Sequence, residues 1–480
     1  MIFFYFLIEL FILIKSDTTI NFSSLTEGEG YSISDGSVTI TSSGTYTISG
    51  TSTSGSIEIA NSLTDVTLIF NSLSLTSSSK TLLTIGTSCS INIQLTQDST
   101  LNSPGMTAIK LNSNSQVSIS GSSSLNIIGS YGFYGDETTS ININSGTTSI
   151  TSTTDGIYIG SANIKDGTLK IISANYGINS PGTISIASGT IEINTTSTSL
   201  YSTKNVIITG GSITLASESL NGIHAHYNIT IGNENGDDDD LTLTITKCDE
   251  GIEAAIIKVY SGTISVTSTD DGINVQSAFY NTDEYDSTAE ISMNFYGGKV
   301  YVNAEGDGLD ANGDINIYGG SLEVWGMAAG GDNEPVDHDD NLVINDATLI
   351  AGGSKGTSYT HNGITSTNQY GIYTTTSISS GTTVYVKDAD DNTVYTITTP
   401  KKLDYLFYSA KGVTSSYYFA TSSGKISTTY YDGSTQNQNQ NNRPSAQNQQ
   451  SNTESDDDSK GSYIYLSMML NLIIYMCINI

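Results

Sequence analysis

One phrase returns along most of this chain: a short alternating strand, a Gly-Thr or Gly-Gly turn, a second strand, then a polar residue followed by Gly and Ile. The corners are Asp155-Gly156-Ile157, Tyr176-Gly177-Ile178, Asn221-Gly222-Ile223, Glu250-Gly251-Ile252, Asp271-Gly272-Ile273 and Asp307-Gly308-Leu309. Gly156 and Gly177 lie 21 residues apart, as do Gly251 and Gly272, and the interval stretches to 29 and 36 residues where loops intrude. A unit this short cannot bury a core alone and must stack on copies of itself, as in a solenoid. Within each unit Ile, Val and Leu alternate with Ser, Thr and Asn, which directs apolar side chains inward and hydroxyls outward. Glycine recurring at one corner supplies the positive φ that a β-branched residue resists. The repeat therefore predicts an all-β fold: a right-handed parallel β-helix of roughly fourteen coils, a rod about 65–70 Å long at about 4.8 Å per coil. A β-propeller needs blades of roughly 40–45 residues with Asp-Trp signatures, and Trp325 is the single tryptophan here. A β-sandwich does not produce this period.

Composition narrows the function. Helix formers are sparse and β-branched residues dominate, which argues against helical and α/β folds. Asp and Glu number 48 against 17 Lys and Arg, a net charge of −31, and the single arginine is Arg443. This leaves no basic face for a phosphate backbone, which argues against nucleic acid as a partner. Cys89 and Cys248 lie far apart in the repeat and Cys477 lies in the tail, so no disulfide framework is indicated.

The expected organisation is a signal peptide at 1–16, the β-helix at 17–355, a small C-terminal β cap at 356–430, a Gln/Asn/Ser/Asp-rich stalk at 431–460 and a hydrophobic tail at 461–480. Met1 to Ile14 is almost wholly apolar and too short to span a bilayer comfortably, which fits a secretory leader. The tail is preceded by small residues and has no basic flank, so it suits a GPI-attachment signal better than a stop-transfer helix. The stalk cannot bury a core and is read as solvated. In the cap region, Thr383 to Thr398 reads as a hairpin around Asp388 to Asn392, closing an end that would otherwise invite edge pairing. A secreted protein displayed at the cell surface, anchored to the membrane at its C-terminus and monomeric, is the expectation. The sequons at Asn21, Asn194 and Asn228 are compatible with glycosylation.

Charge gathers in the second half of the rod, at Asp237 to Asp240, Asp249-Glu250, Glu253, Asp270-Asp271, Asp307, Asp310, Asp314 and the run from Asp332 to Asp340. Stacked corners bring Glu250, Asp271 and Asp307 to about 5 Å from one another in successive coils. Hard cations with oxygen ligands would remove the repulsion. A solvated acidic edge that keeps a long β surface soluble is the other reading, and residue chemistry alone leaves both open. Asp388-x-Asp390-x-Asn392 begins like an EF-hand, but Thr393 stands where glycine is required and Thr399 where the bidentate Glu belongs. His224 and His226 are read as pointing to opposite faces of their strand, which leaves no zinc constellation.

These residues resemble a secreted carbohydrate-binding β-helix family with a polysaccharide-lyase-like fold, typified by a clostridial protein that binds cellulose and polygalacturonate. The phrases that carry the resemblance are Val38-Thr39-Ile40 with Gly44 to Gly50, Gly222-Ile223-His224-Ala225, Glu250-Gly251-Ile252-Glu253, Asp270 to Asn274, Gly306 to Asp310, and Asp337-His338-Asp339, over about Ile20 to Lys425. The resemblance implies calcium (Ca2+) held by corner residues, which by match are Glu250, Glu253, Asp271, Asn274, Asp307, Asp310, Asp337 and Asp339. One coil departs from the family, with Asn221 and His226 where Asp is usual, and is expected to have lost a site.

Three functions are weighed. The first is calcium-dependent, non-catalytic binding of a plant-type polysaccharide, either an acidic pectin-like or a cellulose-like glycan. Tyr296, Tyr301, Tyr318 and Trp325 beside the acidic coils are the candidate sugar-stacking residues. The second is a calcium-dependent polysaccharide lyase, which needs a base to take the proton α to the uronate carboxyl. Lys247 is the candidate base and Lys258 the next, and a lysine that merely eases local acidity is the simpler account of Lys247. The third is a surface adhesin or structural rod. Charge predicts that pectin-type binding depends on calcium, because the protein and polygalacturonate are both anionic.

Overall fold

The computed structural model describes residues 17–235, 240–278, 289–356 and 369–431. The expected leader at 1–16, most of the acidic run from Asp237 to Asp240, the stalk after Tyr431 and the tail at 461–480 lie outside the described residues. Among those described there is no helix. The chain forms a right-handed parallel β-helix of about 13 turns, against the roughly fourteen expected. Each full coil has three strands, such as Leu309–Ala311, Asp314–Ile317 and Ser321–Trp325, and each strand pairs in parallel with its counterpart one coil away.

Alternation sets this register. In Thr190–Thr195 the residues Ile191 and Ile193 are buried, while Thr190, Glu192 and Asn194 are exposed. They pair in step with Leu169 and Ile171 below and with Ile213 and Leu215 above. A slip of one residue would turn every Ile outward, so the hydrophobic pattern alone fixes the stack. The first strands align a continuous column of buried residues that includes Ile157, Ile178, Leu200, Ile223, Ile252, Ile273 and Leu309.

Two columns of glycine serve two purposes. At the turn before the third strand, Gly167, Gly189 and Gly211 have φ of 92°, 98° and 96°, the conformation that glycine adopts without strain. At the Gly-Ile corners the requirement is space. A Cβ on Gly272 would stand 2.1 Å from Val302 Cγ1 and 2.5 Å from the Gly308 carbonyl oxygen.

The stack changes direction at its ends. Near the start, Tyr31–Ser34 pairs antiparallel with Ser37–Ile40. At the far end Thr348–Gly353 is met antiparallel by Tyr405–Ser409, which also pairs with Gly371–Thr374. Beyond it, a four-stranded sheet contains the hairpin Thr383–Lys387 and Thr393–Thr398, at whose tip Asp388 Oδ1 accepts the backbone N–H groups of Asp390 and Asn392. The carboxylate that opened an EF-hand-like string therefore shapes a turn. This end has its own core of Ile350, Ile372, Val384, Val386, Leu406 and Phe419, into which Trp325 is sunk. Cys89 and Cys248 are buried free thiols.

Candidate functional site

Register carries one outward position, the residue after the buried Ile of each first strand, along a single side of the rod. Tyr134, Tyr158, Asn179 and Tyr201 hold it first, followed by His224, Glu253, Asn274 and Asp310. A bridge between Leu309 and Val336 brings Asp337 to the same place in the next coil. The residue before each corner Gly forms a parallel row that includes Tyr131, Asp155, Tyr176, Asn221, Glu250, Asp271 and Asp307. One side of the rod is thus aromatic at first and acidic later.

The acidic half divides in two. Asn221 Nδ2 donates to Glu250 Oε2 at 3.1 Å and also to Glu253 Oε2, and Gln276 Nε2 donates to Glu253 Oε1 at 2.8 Å. His224 Nδ1 lies 2.7 Å from Glu253 Oε2. Burial, and then the charge of Glu253, push the Glu250 carboxyl up. Burial acts on Glu253 in the same sense, but His224 and the hydrogen bonds it accepts outweigh this and hold it low. Asn221, His224 and Gln276 thus surround the Glu253 carboxylate with hydrogen-bonding groups of the protein itself. Asn221 is the neutral amide that bridges the two carboxyl groups.

Two coils on, carboxylates face carboxylates. Oxygens of Asp307, Asp310 and Asp337 all lie within 4.8 Å of one another. Burial first, and then Asp271, raise Asp307 to about 9. Burial and the neighbours Asp271, Asp337 and Asp339 raise Asp310 well above the usual carboxylate range. Asp271 reaches about 7 through burial and Asp270, while its Oδ1 accepts the Asp307 N–H at 2.7 Å. Between these coils Asn274 is only 5% exposed, and its Oδ1 is buried with no hydrogen-bond partner. Buried oxygens normally find a donor, so this one is a place for an electrophile. Converging carboxylates at this spacing, with a neutral amide oxygen in the next coil, fit a hard cation, whose oxygen ligands stand about 2.3–2.6 Å from the ion.

Of the eight residues expected to hold metal, the structure converges Asp307, Asp310 and Asp337. It keeps Asp271 and Asn274 next to them, ties up Glu250 and Glu253 internally, and leaves Asp339 exposed at the edge. His224 and His226 share a face, contrary to expectation, because residues two apart on a strand point the same way. Their rings are 5.5 Å apart.

The expected sugar-stacking residues separate as well. Tyr296 and Tyr318 are each 42% exposed and stack in a column with Tyr260, at centroid distances of 4.9 and 5.6 Å. They stand at the corner between second and third strands, away from the acidic corner. Tyr301 is partly buried among the residues packed on the cap core. Trp325 is fully buried, donates its Nε1–H to Glu323 at 3.0 Å, and is withdrawn from the binding surface. Lys247 is half exposed and ion-paired with Glu218. Among the sequons, Asn21 and Asn194 are exposed, while Asn228 Nδ2 donates to Asn205 Oδ1 at 3.0 Å within a polar column.

The sequence reading overlooked the aromatic half. Its signal was present, since the residue after each Gly-Ile pair is the one that lines up, but Tyr131-Gly132-Phe133-Tyr134 carries Phe in place of Ile.

The family described as carbohydrate-binding domain-containing protein matches residues 34–283. No curated protein matches the chain. Among solved structures, it is similar to the polysaccharide lyase-like protein from C. thermocellum, in a gadolinium derivative, with 15% identity over 71% of this chain and 94% of that one and a TM-score of 0.18.

Proposed function

Because the chain belongs to the carbohydrate-binding domain-containing family, we propose that it is a non-catalytic polysaccharide receptor whose acidic coils hold calcium and use it to take an acidic, pectin-like glycan. The observation that carries the cation is the convergence of Asp307, Asp310 and Asp337 on one corner beside the unpartnered Asn274 oxygen. A bound hard cation would neutralise these carboxylates and offer open coordination positions to a uronate carboxylate. The residues do the rest: Asp271 fixes the backbone of the Asp307 corner through its accepted N–H, and the Gly272 and Gly308 column holds the coils close enough for side chains of different coils to share one ion.

Binding without cleavage is favoured by Lys247, whose ammonium is engaged by Glu218 at the surface. The apolar leader and tail support a secreted protein held at the cell surface through its C-terminus.

The test is thermal unfolding of the full chain in chelator and in calcium, repeated with polygalacturonate and with a neutral glucan. Only ligands of the native state raise the melting temperature. A rise with calcium and a further calcium-dependent rise with polygalacturonate are expected. No response to calcium would remove the metal and leave the acidic corner as a solubilising edge.

A further inference from the structure

Two histidines meet where the aromatic half of the rod gives way to the acidic half. Ile223–Ile231 is a single strand where the coil before it has two, Leu200–Ser202 and Asn205–Ile208, and its register against the next coil shifts between Ala225 and Asn228. His224 and His226 lie on one face of it, with the buried Ala225 between them turned inward. Their rings stand 5.5 Å apart at 82°. Two imidazoles on one tetrahedral ion, each bound at about 2.0–2.1 Å, put their ring centres about 5 Å apart. The pair is thus already close to the span that one ion needs.

The surroundings prepare both rings as ligands. Glu253 Oε2 lies 2.7 Å from His224 Nδ1. A carboxylate there accepts the Nδ1 proton and leaves the electron pair on Nε2, which is how an outer carboxylate orients a ligating histidine. His226 is pushed down to about 4 by burial and then by His224, so at neutral pH its imidazole keeps an electron pair. Its Nε2 is 2.9 Å from the Tyr201 hydroxyl, and ligand atoms on one tetrahedral ion stand about 3.3 Å apart. Tyr201 also stacks on His224 at 5.3 Å and 17° and meets His226 edge-on at 87°, which fixes the three rings against one another. Imidazole nitrogen with phenol oxygen suits borderline divalent ions, whereas the aspartates farther along the rod suit a hard one.

We propose that His224, His226 and Tyr201 form a binding site for a divalent transition ion of the zinc class, with the two imidazoles and the phenol oxygen as ligands and Glu253 as the outer partner that orients His224. Three protein ligands leave a fourth position for water or an outside donor. The site differs from the aspartate corner in donors and in place, and does not depend on that corner holding calcium. A bound ion would tie the coil of Leu200–Ser202 to the coil of Ile223–Ile231 just where the register shifts.

Two titrations of the full chain in excess calcium test it: zinc chloride read by melting temperature and calorimetry, and copper(II) read by electron paramagnetic resonance. Zinc should raise the melting temperature beyond calcium alone, and the copper signal should show splitting from two nitrogens. His226→Gln should abolish the zinc-induced rise and leave one coupled nitrogen at most. Tyr201→Phe, which keeps the ring stack, should weaken zinc binding severalfold. His338 and His361 are the other histidines of the chain, so a two-nitrogen signal that survives His226→Gln would put the metal elsewhere and overturn the site. Unchanged zinc affinity in Tyr201→Phe would overturn it as well. The wild-type chain alone decides the matter if His226→Gln does not fold, because copper held through oxygen only, or zinc without effect on melting, refutes the site. A chain that ignores calcium but binds zinc in this way would sink the calcium corner and leave this site standing.

Discussion

At the scale of single residues, this protein turns on groups held where they are least comfortable. In the metal-free chain Asp271 and Asp307 keep their protons to about 7 and about 9, whereas the unfolded chain releases them near about 4. Between these limits the folded state binds more protons, so stability falls as pH rises, by up to about 1.4 kcal/mol per group per pH unit. Melting curves in chelator at pH 5 and pH 8 should show the loss, and calcium should reverse it at pH 8. Asp310→Asn then has a two-sided signature: a higher melting temperature than wild type at pH 8 in chelator, and a smaller rise with calcium. A lower melting temperature in chelator would mean that repulsion is not what the corner stores. Gly272→Ala tests the opposite virtue, closeness. With Val302 Cγ1 at 2.1 Å and backbone at 2.5 Å from the new carbon, a loss of about 1–3 kcal/mol is expected in denaturant titration. The buried Ile column and its Gly corners are legible in sequence because each repeats at a fixed offset. The division of the carboxylates is not, because it depends on Asn221, His224 and Gln276 reaching across coils to Glu250 and Glu253.

At the scale of elements, alternation is legible strand by strand, and it fails where a neighbour without a repeat takes over. Ser321–Trp325 alternates through Val324, and Trp325 then breaks the pattern by staying buried. The cause is the cap, whose strand Tyr405–Ser409 is far away in sequence and follows no period. Nothing local to Trp325 announces that partner, so the sequence leaves its face open. The aromatic strip escaped for a related reason: Tyr134, Tyr158 and Tyr201 sit in coils of unequal length, and only counted register puts them in line. Trp325→Ala should cost about 3–5 kcal/mol. Hydrogen exchange locates the damage: Gly371–Thr374, Tyr405–Ser409 and Tyr418–Thr421 should lose protection first, with the central coils unchanged. Uniform loss along the coils would instead make Trp325 part of the rod's own core.

At the scale of the whole molecule, a parallel stack has no internal reason to stop, since every coil presents the next with the edge it needs. Here the strand sense reverses at the far end, at Tyr405–Ser409 on Thr348–Gly353, and in one column at the start, at Tyr31–Ser34 on Ser37–Ile40, beside which Asp17–Asn21 still pairs in parallel with Gly44–Ser52. A chain ended after residue 355 would keep the coils and expose Thr348–Gly353. It is expected to associate through that opened edge into oligomers seen by analytical ultracentrifugation, while the full chain stays dispersed. Dispersed truncated protein would show that the last coil protects itself. The reversal at the far end denies a second molecule the parallel edge it would need to extend the third-strand column there. A long carbohydrate polymer would then gather many copies along its length without fusing them at that end, and releasing the polymer would return them as individuals.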